Sequence, residues 1–408
     1  MGQLILTQNA SVDTPAAGAV ILANKNGDIV KKDSGGNEYS IQKNKNAFIN
    51  PHMDIWQRGT SFTGITGTSA FTADRWAAVN GSSVGVITGT QQTSVPTVAQ
   101  AGVLFNYSLR LAVTTIDASL TTTDFCSIKQ SIEGYNWRYF AQRALTLSFW
   151  INCNKAGTYC VCFNNNAAGT PDRAFVAEYT ISAADVSTGW VKKTIAVPAS
   201  PSAGTWNYTN SNGCRIDFSF ANAIGGTYQG SANGQWNTVT NYVLGTSSST
   251  NFLDSTSNTA HITGIQLEVG NAASELEWRP FGQELDLCQR YYEKNFNLTT
   301  APADALSNTG ATYYIPCTCY QANEIVTPVV FKVRKRSASY AVATYSYSGG
   351  STAGRFALVV AGSTANFTTW NGITVTSENH MYGSQSYTGA TAGFAYLFLG
   401  GWTVDNEI

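Results

Sequence analysis

A period of two constrains this chain more than any other feature of its sequence. Runs at 107–113, 145–151, 159–163, 190–197, 215–220 and 260–269 place apolar side chains at alternate positions, and Gly, Ser, Thr and Asn fill the intervals. Successive side chains of a β-strand point to opposite faces, so each run reads as a strand with one face turned to a core. No comparable helical pattern lies between these runs. Many short strands without intervening helices predict an all-β fold, here a jelly-roll type β-sandwich over 46–280.

Smaller elements flank it. Over 1–45, short apolar runs at 19–22, 28–31 and 38–41 are separated by Asn26-Gly27 and Gly35-Gly36, pairs that supply the positive φ of tight hairpins. A meander this small cannot bury enough apolar area to stand alone, so it is expected to dock on sister chains or on another protein. A helix is expected over 281–298. Pro280 precedes it, Glu284 and Asp286 lie early, and Arg290 and Lys294 lie late, which suits the helix dipole. Phe281, Leu285, Cys288 and Tyr292 form an apolar stripe along it, expected to bury against the sandwich or around a symmetry axis. Runs at 312–316, 329–333, 356–360 and 394–399 predict a second sandwich over 299–408. The expected architecture is therefore tandem β-sandwiches, an N-terminal meander and one connecting helix.

Composition narrows the function. Charged residues make up 12% of the 408, about half the usual share of roughly 25%. Aromatics also reach 12%, the opposite of a disordered chain. A net charge of −1 removes broad attraction to nucleic acid or anionic lipid. No apolar run is long enough to span a bilayer. Residues 1–9 lack a basic region and hold only the short patch Leu4, Ile5, Leu6, so no secretion signal is expected. An extracellular-looking composition without such a signal fits assembly in a host cytoplasm and release by lysis. The basic run Lys332, Arg334, Lys335 and Arg336 is expected to face solvent or a subunit neighbour. The eight cysteines include two C-x-C pairs, Cys160/Cys162 and Cys317/Cys319. Both members of such a pair share a strand face, a geometry strained for a disulfide and atypical for zinc, so buried reduced thiols and no metal are expected.

No catalytic pattern emerges. None of the three histidines, His52, His261 and His380, stands in a recognised nucleophile context, and no phosphate or dinucleotide loop is present. Asp54, Asp74, Glu133, Glu178, Asp217, Glu268 and Glu277 offer conceivable carboxylate pairs, but glycan cleavage requires a set separation that a sequence does not measure. Neither enzyme activity nor a cofactor is expected. Sugar recognition needs rings to stack on and loop amides or hydroxyls at the rim. Two loop clusters offer both: Trp206, Asn207, Tyr208, Asn210, Tyr228 and Trp236, and then Trp370, Asn371, His380, Tyr382 and Tyr387.

Three stretches together resemble tailed-bacteriophage tail-fibre and receptor-binding proteins that carry a carbohydrate-binding-module-like sandwich. They are NPHMDIWQRGTSF (50–62) with FTADRW (71–76), then IQLEVG (265–270) with EWRPF (277–281) and ELDLCQRYY (284–292), and finally WTVDNEI (402–408), where Ile408 replaces the usual Leu. Trp56 and Trp76 are expected to fill the core with their indoles bonded to backbone carbonyls. Asp74 and Arg75 are expected to fix a loop, and Arg58 to meet Glu268 or Glu277. The resemblance implies a homotrimeric virion fibre that docks by its N-terminal segment and attaches to a host-surface glycan or protein receptor, with the receptor surface expected in 309–408. A purely structural virion component, such as a capsid fibre, adaptor or baseplate protein, is the alternative. A glycan depolymerase is a third reading.

Overall fold

The computed structural model describes residues 8–9, 11–25, 28–36, 38–40, 45–165, 169–304, 314–346, 357–360, 363–366, 373–386, 388 and 390–408. All six alternating runs are strands, divided between two antiparallel sheets. The front sheet orders Val191–Val197, Leu145–Cys153, Thr259–Val269, Ser108–Thr115, Val86–Gln92 and Ser61–Ile65. The back sheet orders Asn237–Thr238, Arg173–Ile181, Gly157–Asn164, Asn212–Asn222, Phe125–Glu133, Ala77–Asn80 and Thr68–Phe71. Alternation explains the core between them. Leu147, Phe149 and Ile151 of the front sheet meet Val161, Phe163, Ile216 and Phe218 of the back sheet, and Phe149 stands edge-on to Phe218 at 5.1 Å. The architecture is all-β, with four short α-helices among the described residues.

The N-terminal meander is a small sheet of Gln8–Asn9, Val20–Lys25, Asp28–Asp33 and Glu38–Ser40. Among the described residues its own core is Val12, Ala23 and Val30, with Ile21 against them. The Glu38 N–H donates to Asn271 Oδ1 at 3.0 Å, which ties the meander to the turn that follows the front sheet's Thr259–Val269 strand.

The connecting helix is shorter than expected. It runs Phe281–Gln289, not 281–298, and Tyr292–Lys294 is a strand. The interior ends it. The Tyr291 hydroxyl donates to Glu133 Oε2 at 2.5 Å, and Tyr292–Lys294 pairs with Gly401–Asp405. Ladder bonds and burial of two tyrosines outweigh one more helical turn. Gly401–Asp405 also pairs with Ala341–Tyr345, and this three-stranded sheet faces a seven-stranded one ordered Ser363–Asn366, Ala357–Val360, Ala395–Leu399, Tyr314–Gln321, Glu324–Val330, His380–Ser386 and Ile373–Thr376. Cys317, Cys319, Ile325, Met381, Phe398, Trp402 and Val404 join the two sheets in one core.

The three motif stretches converge on the junction between the sandwich and this C-terminal unit. Trp56 and Trp76 donate from their indoles to the carbonyls of Met53 and Asn50, at 2.6 and 2.9 Å. Asp74 is buried and accepts from the Gln57 N–H at 2.9 Å and its amide at 2.5 Å. Arg58 does not meet Glu268 or Glu277. It pairs with Asp405 at 3.0 Å and Glu407 at 3.3 Å, and its guanidinium lies 3.7 Å over the Tyr292 ring. Arg75 pairs with Glu407, donates to the Ser131 carbonyl at 2.6 Å and lies 3.5 Å over Tyr291.

The basic run also belongs to this junction and is corrected accordingly. Lys335 is buried and pairs with Glu293 at 2.6 Å. Arg336 donates to the carbonyls of Asn210 and Asn406, at 2.6 and 3.1 Å. Only Lys332 and Arg334 are exposed. Carboxylates and orphan carbonyls of the same chain draw the other two cations inward.

Candidate functional site

The two outer faces of the sandwich differ in what covers them. On the back sheet, Cys160, Cys162, Ala174 and Val176 are buried beneath Val243. Arg215 forks onto Asp217 with bonds of 2.6 and 2.7 Å and sits 4.5 Å over the Tyr242 ring. The segment 239–250 thus seals the middle of that face, and the C-x-C spacing at Cys160 and Cys162 serves to put both thiols beneath it. All eight cysteines are buried and free, and burial raises the Cys162 thiol well above its ordinary range.

The front sheet's outer face is open. A cleft of about 730 Å³ lies on it, bounded by the meander, the 101–105 segment and the 273–276 loop. Trp150 and Phe105 form its aromatic floor. The strand Leu145–Cys153 sends Phe149 and Ile151 into the core, so Trp150 between them must point outward, and it is half-buried. The ladder shifts register opposite Ser148 and Trp150, where Gly264 takes φ +60°. A Cβ there would stand 2.7 Å from Phe105 and 3.0 Å from Trp150. Only glycine lets both rings close over this bulge.

The walls carry charge. Lys192 lies directly across the ladder from Trp150 and is exposed. Lys45 donates to the Ser274 hydroxyl and, at 2.7 Å, to the Glu275 carbonyl. Beneath it the buried Glu268 carboxylate accepts from the Ser274 N–H at 2.8 Å and its hydroxyl at 2.5 Å, which holds the 273–276 wall in place. Lys31 and Glu275 complete the charged lining, which is net positive. An aromatic floor with lysines and hydroxyls at the rim can stack a ring and bond hydroxyl or acidic substituents.

The residues singled out from the sequence fall elsewhere. Trp206 and Trp236 meet edge-to-face at 5.5 Å, and Trp206 stacks on the buried Trp137 at 6.0 Å. Their indoles donate to the carbonyls of Ala203 and Pro198, and Tyr208 packs beside them on the main core. Tyr228 stands edge-on to Phe125 at 5.3 Å. Trp206, Tyr208 and Trp236 are thus brought together as a flank of the core, whereas Tyr228 lies toward the other end of the Phe125–Glu133 strand. Of the second, Trp370, Asn371 and Tyr387 lie outside the described residues. His380 is exposed with its Nδ1 2.9 Å from the Ser377 hydroxyl, and Tyr382 is half-buried two positions along the same strand. Of the helix stripe, Cys288 packs within the chain against Ile49, Ile55 and Tyr291 with Leu285 beside it. Tyr292 is buried under Arg58, and only Phe281 is exposed. Trp150, Phe105 and Lys192 were not singled out. The signal for Trp150 was present, as the one tryptophan on the outward phase of a long alternating strand.

No family model matches this sequence, and no curated protein matches it. Among solved structures, the enzymatically active domain of tailspike protein 4 of bacteriophage CBA120 is similar at 15% identity and TM-score 0.27, over 48% of this chain and 19% of that one. This chain thus spans about a fifth of the length of that tailspike chain. A family 11 carbohydrate-binding module of a cellulosomal cellulase of Clostridium thermocellum is similar at 12% identity and TM-score 0.28, over 49% of this chain and 90% of that one. A xylan-binding domain from Paenibacillus barcinonensis is similar at 8% identity and TM-score 0.27, over 57% of this chain and 99% of that one. At these scores the likeness carries no argument of its own, and the β-sandwich stands on its two sheets and their shared core.

Proposed function

We propose that this chain is a fibre or appendage protein of a tailed-bacteriophage virion that attaches to the host surface by binding glycan in the front-sheet cleft. The observation that carries the reading is the open cleft itself, with the outward Trp150 on its floor and Lys192 across the ladder. The meander supports a docking role. Val20, Leu22 and Ile29 are exposed, and the strand register puts them on one face of that sheet. Assembly as a homotrimer and residence in the virion belong to the same proposal.

The reading is of a binding protein, not a hydrolase. Asp54 and Glu284 line one pocket, but Glu284 is clamped by Arg279 at 3.0 Å and by the Asn50 N–H at 2.6 Å. Burial raises the Glu284 pKa, but both of its oxygens are engaged by Arg279 and one also by the Asn50 N–H, so the group is held within the chain and not aimed at a ligand beside Asp54. The test is retention of the purified full chain on immobilised host-surface polysaccharide, with Trp150→Ala beside it and with sugar release assayed in parallel. Retention lost in the variant, without release of sugar, is the expected result. No retention of the parent chain, together with firm incorporation into virions, would hand the function to the structural-component reading.

A further inference from the structure

A second, smaller pocket of about 230 Å³ lies at the elbow where the chain enters the sandwich, bounded by 50–55, Asn106, Tyr107 and the start of the helix. It is separate from the front-sheet cleft and shares no lining residue with it. Its polar atoms are not at rest. His52 is only 6% exposed, yet neither of its ring nitrogens has a hydrogen-bond partner. Asp54 Oδ1 is likewise buried without a partner. Leaving such atoms unbonded is costly, so a native pocket that keeps three of them invites an occupant. Trp278 stacks on His52 at 4.6 Å and is 53% exposed, so part of its indole stays open at the pocket mouth. Phe281 beside it is 50% exposed.

Charge decides the class of occupant. Arg279 and Glu284 also line the pocket, but they neutralise each other, and Arg279 spends its remaining donors on the carbonyls of Asn46 and Phe48. Burial, and then the Arg279 charge, lower the His52 pKa to about 4, so at neutral pH the ring presents one donor and one acceptor. An anionic ligand would be set against Asp54. A cation would satisfy Asp54 but would leave the imidazole donor unmet. A hydroxyl both donates and accepts, and vicinal hydroxyls can serve Asp54 and His52 together while the apolar side of the ring packs against the exposed edge of Trp278. The volume lies below the ~300–1,000 Å³ of drug-sized sites, which suits one ring and not a chain.

We infer that this elbow pocket binds a single neutral sugar ring, packed against the exposed edge of Trp278 and hydrogen-bonded by His52 and Asp54. The inference deepens the glycan-attachment reading and rests on it only in ligand class, since the site is a different one. The test is saturation-transfer NMR on the full chain with the methyl pyranosides of glucose, galactose, mannose and N-acetylglucosamine. Glucuronic acid serves as the anionic probe and lysine methyl ester as the cationic probe. At least one neutral pyranoside should bind, and Trp278→Ala and Asp54→Asn should each weaken it tenfold or more. All binding of these probes is measured in a Trp150→Ala background, so that the cleft floor does not contribute, and near-ultraviolet circular dichroism should confirm that every variant is folded. Binding that survives Trp278→Ala, or preference for either charged probe, would overturn the inference. If no pyranoside binds while polysaccharide retention persists and depends on Trp150, the elbow pocket fails and the cleft stands. If both fail, so does the glycan reading.

Discussion

Trp76 and Trp150 show how differently two regions of this molecule use the same side chain. Trp76, at the motif junction, is fully buried and bonded to Asn50, amid ion pairs that join Arg58 and Arg75 to Asp405 and Glu407. Trp150, on the cleft floor, is half-buried and faces outward beside Phe105. The junction holds the recognisable sequence and consumes it in closing the fold. The cleft carries no motif and keeps its surface free. A string of residues can therefore mark chiefly how a domain is locked shut, although His52, Asp54 and Trp278 of the same stretches also line the elbow pocket.

The contrast predicts unequal responses to mutation. Glu407→Ala should have the largest effect, because it leaves Arg75 buried and uncompensated. Loss of one member of a buried pair costs about 3–5 kcal/mol, which urea unfolding would measure. A loss under about 1 kcal/mol would mean that the junction is not what holds the two units together.

Gly264→Ala comes next and should disturb both stability and binding. It forces a Cβ into the positive φ of the bulge and against two rings. The expected cost is about 1–3 kcal/mol, with weaker polysaccharide retention as Trp150 and Phe105 are pushed apart. Normal stability and normal retention together would show that the bulge does not shape the floor. Trp150→Ala should do the reverse of Glu407→Ala, lowering glycan affinity about tenfold, roughly 1.4 kcal/mol, while changing stability by less. A Trp150→Ala chain that unfolds easily but still binds would break the comparison.

The smallest effect concerns pH at the elbow. Burial, and then the Glu284 charge, raise the Asp54 pKa from 3.8 to about 6. Its contribution to stability is therefore present below pH 3.8 and lost as pH rises through about 6. His52 is shifted the other way, from 6.5 to about 4, so its contribution is present above pH 6.5 and lost as pH falls through about 4. Between pH 4 and 6 the two oppose each other. Asp54→Asn removes the first, and stability should then fall more steeply than in the parent chain as pH drops from 6 to 4. Superimposable profiles from denaturation at a series of pH values would show that these groups do not titrate against one another.

Much of the fold was legible because strand alternation is local. The runs at 145–151 and 215–220 carry the period in adjacent residues, and the same period placed Phe149 inward and Trp150 outward. The helix was overextended because its apolar stripe continued to Tyr292, and nothing within that segment announces that Glu133 and the 401–405 strand will claim Tyr291 and Tyr292. The basic run failed for the same reason. Lys335 is buried by Glu293, and Arg336 by the carbonyls of Asn210 and Asn406. The packing of the loop aromatics was not legible, since Trp206 and Trp236 have the composition of a sugar platform and lie together as a flank of the core.

The order of amino acids thus sufficed for the all-β class, the inward phase of each strand and the thiols sharing a face at Cys160 and Cys162, since each follows from neighbours along the chain. Which sheet face stays open, which arginine meets which carboxylate, and where His52 and Trp278 enclose a pocket depend on segments far apart in the sequence, as when the Asn50 N–H reaches Glu284 across a separation of 234. A sequence pattern carries the period of an element but not the identity of its distant neighbour, and burial, charge pairing and cavity shape are properties of that neighbour.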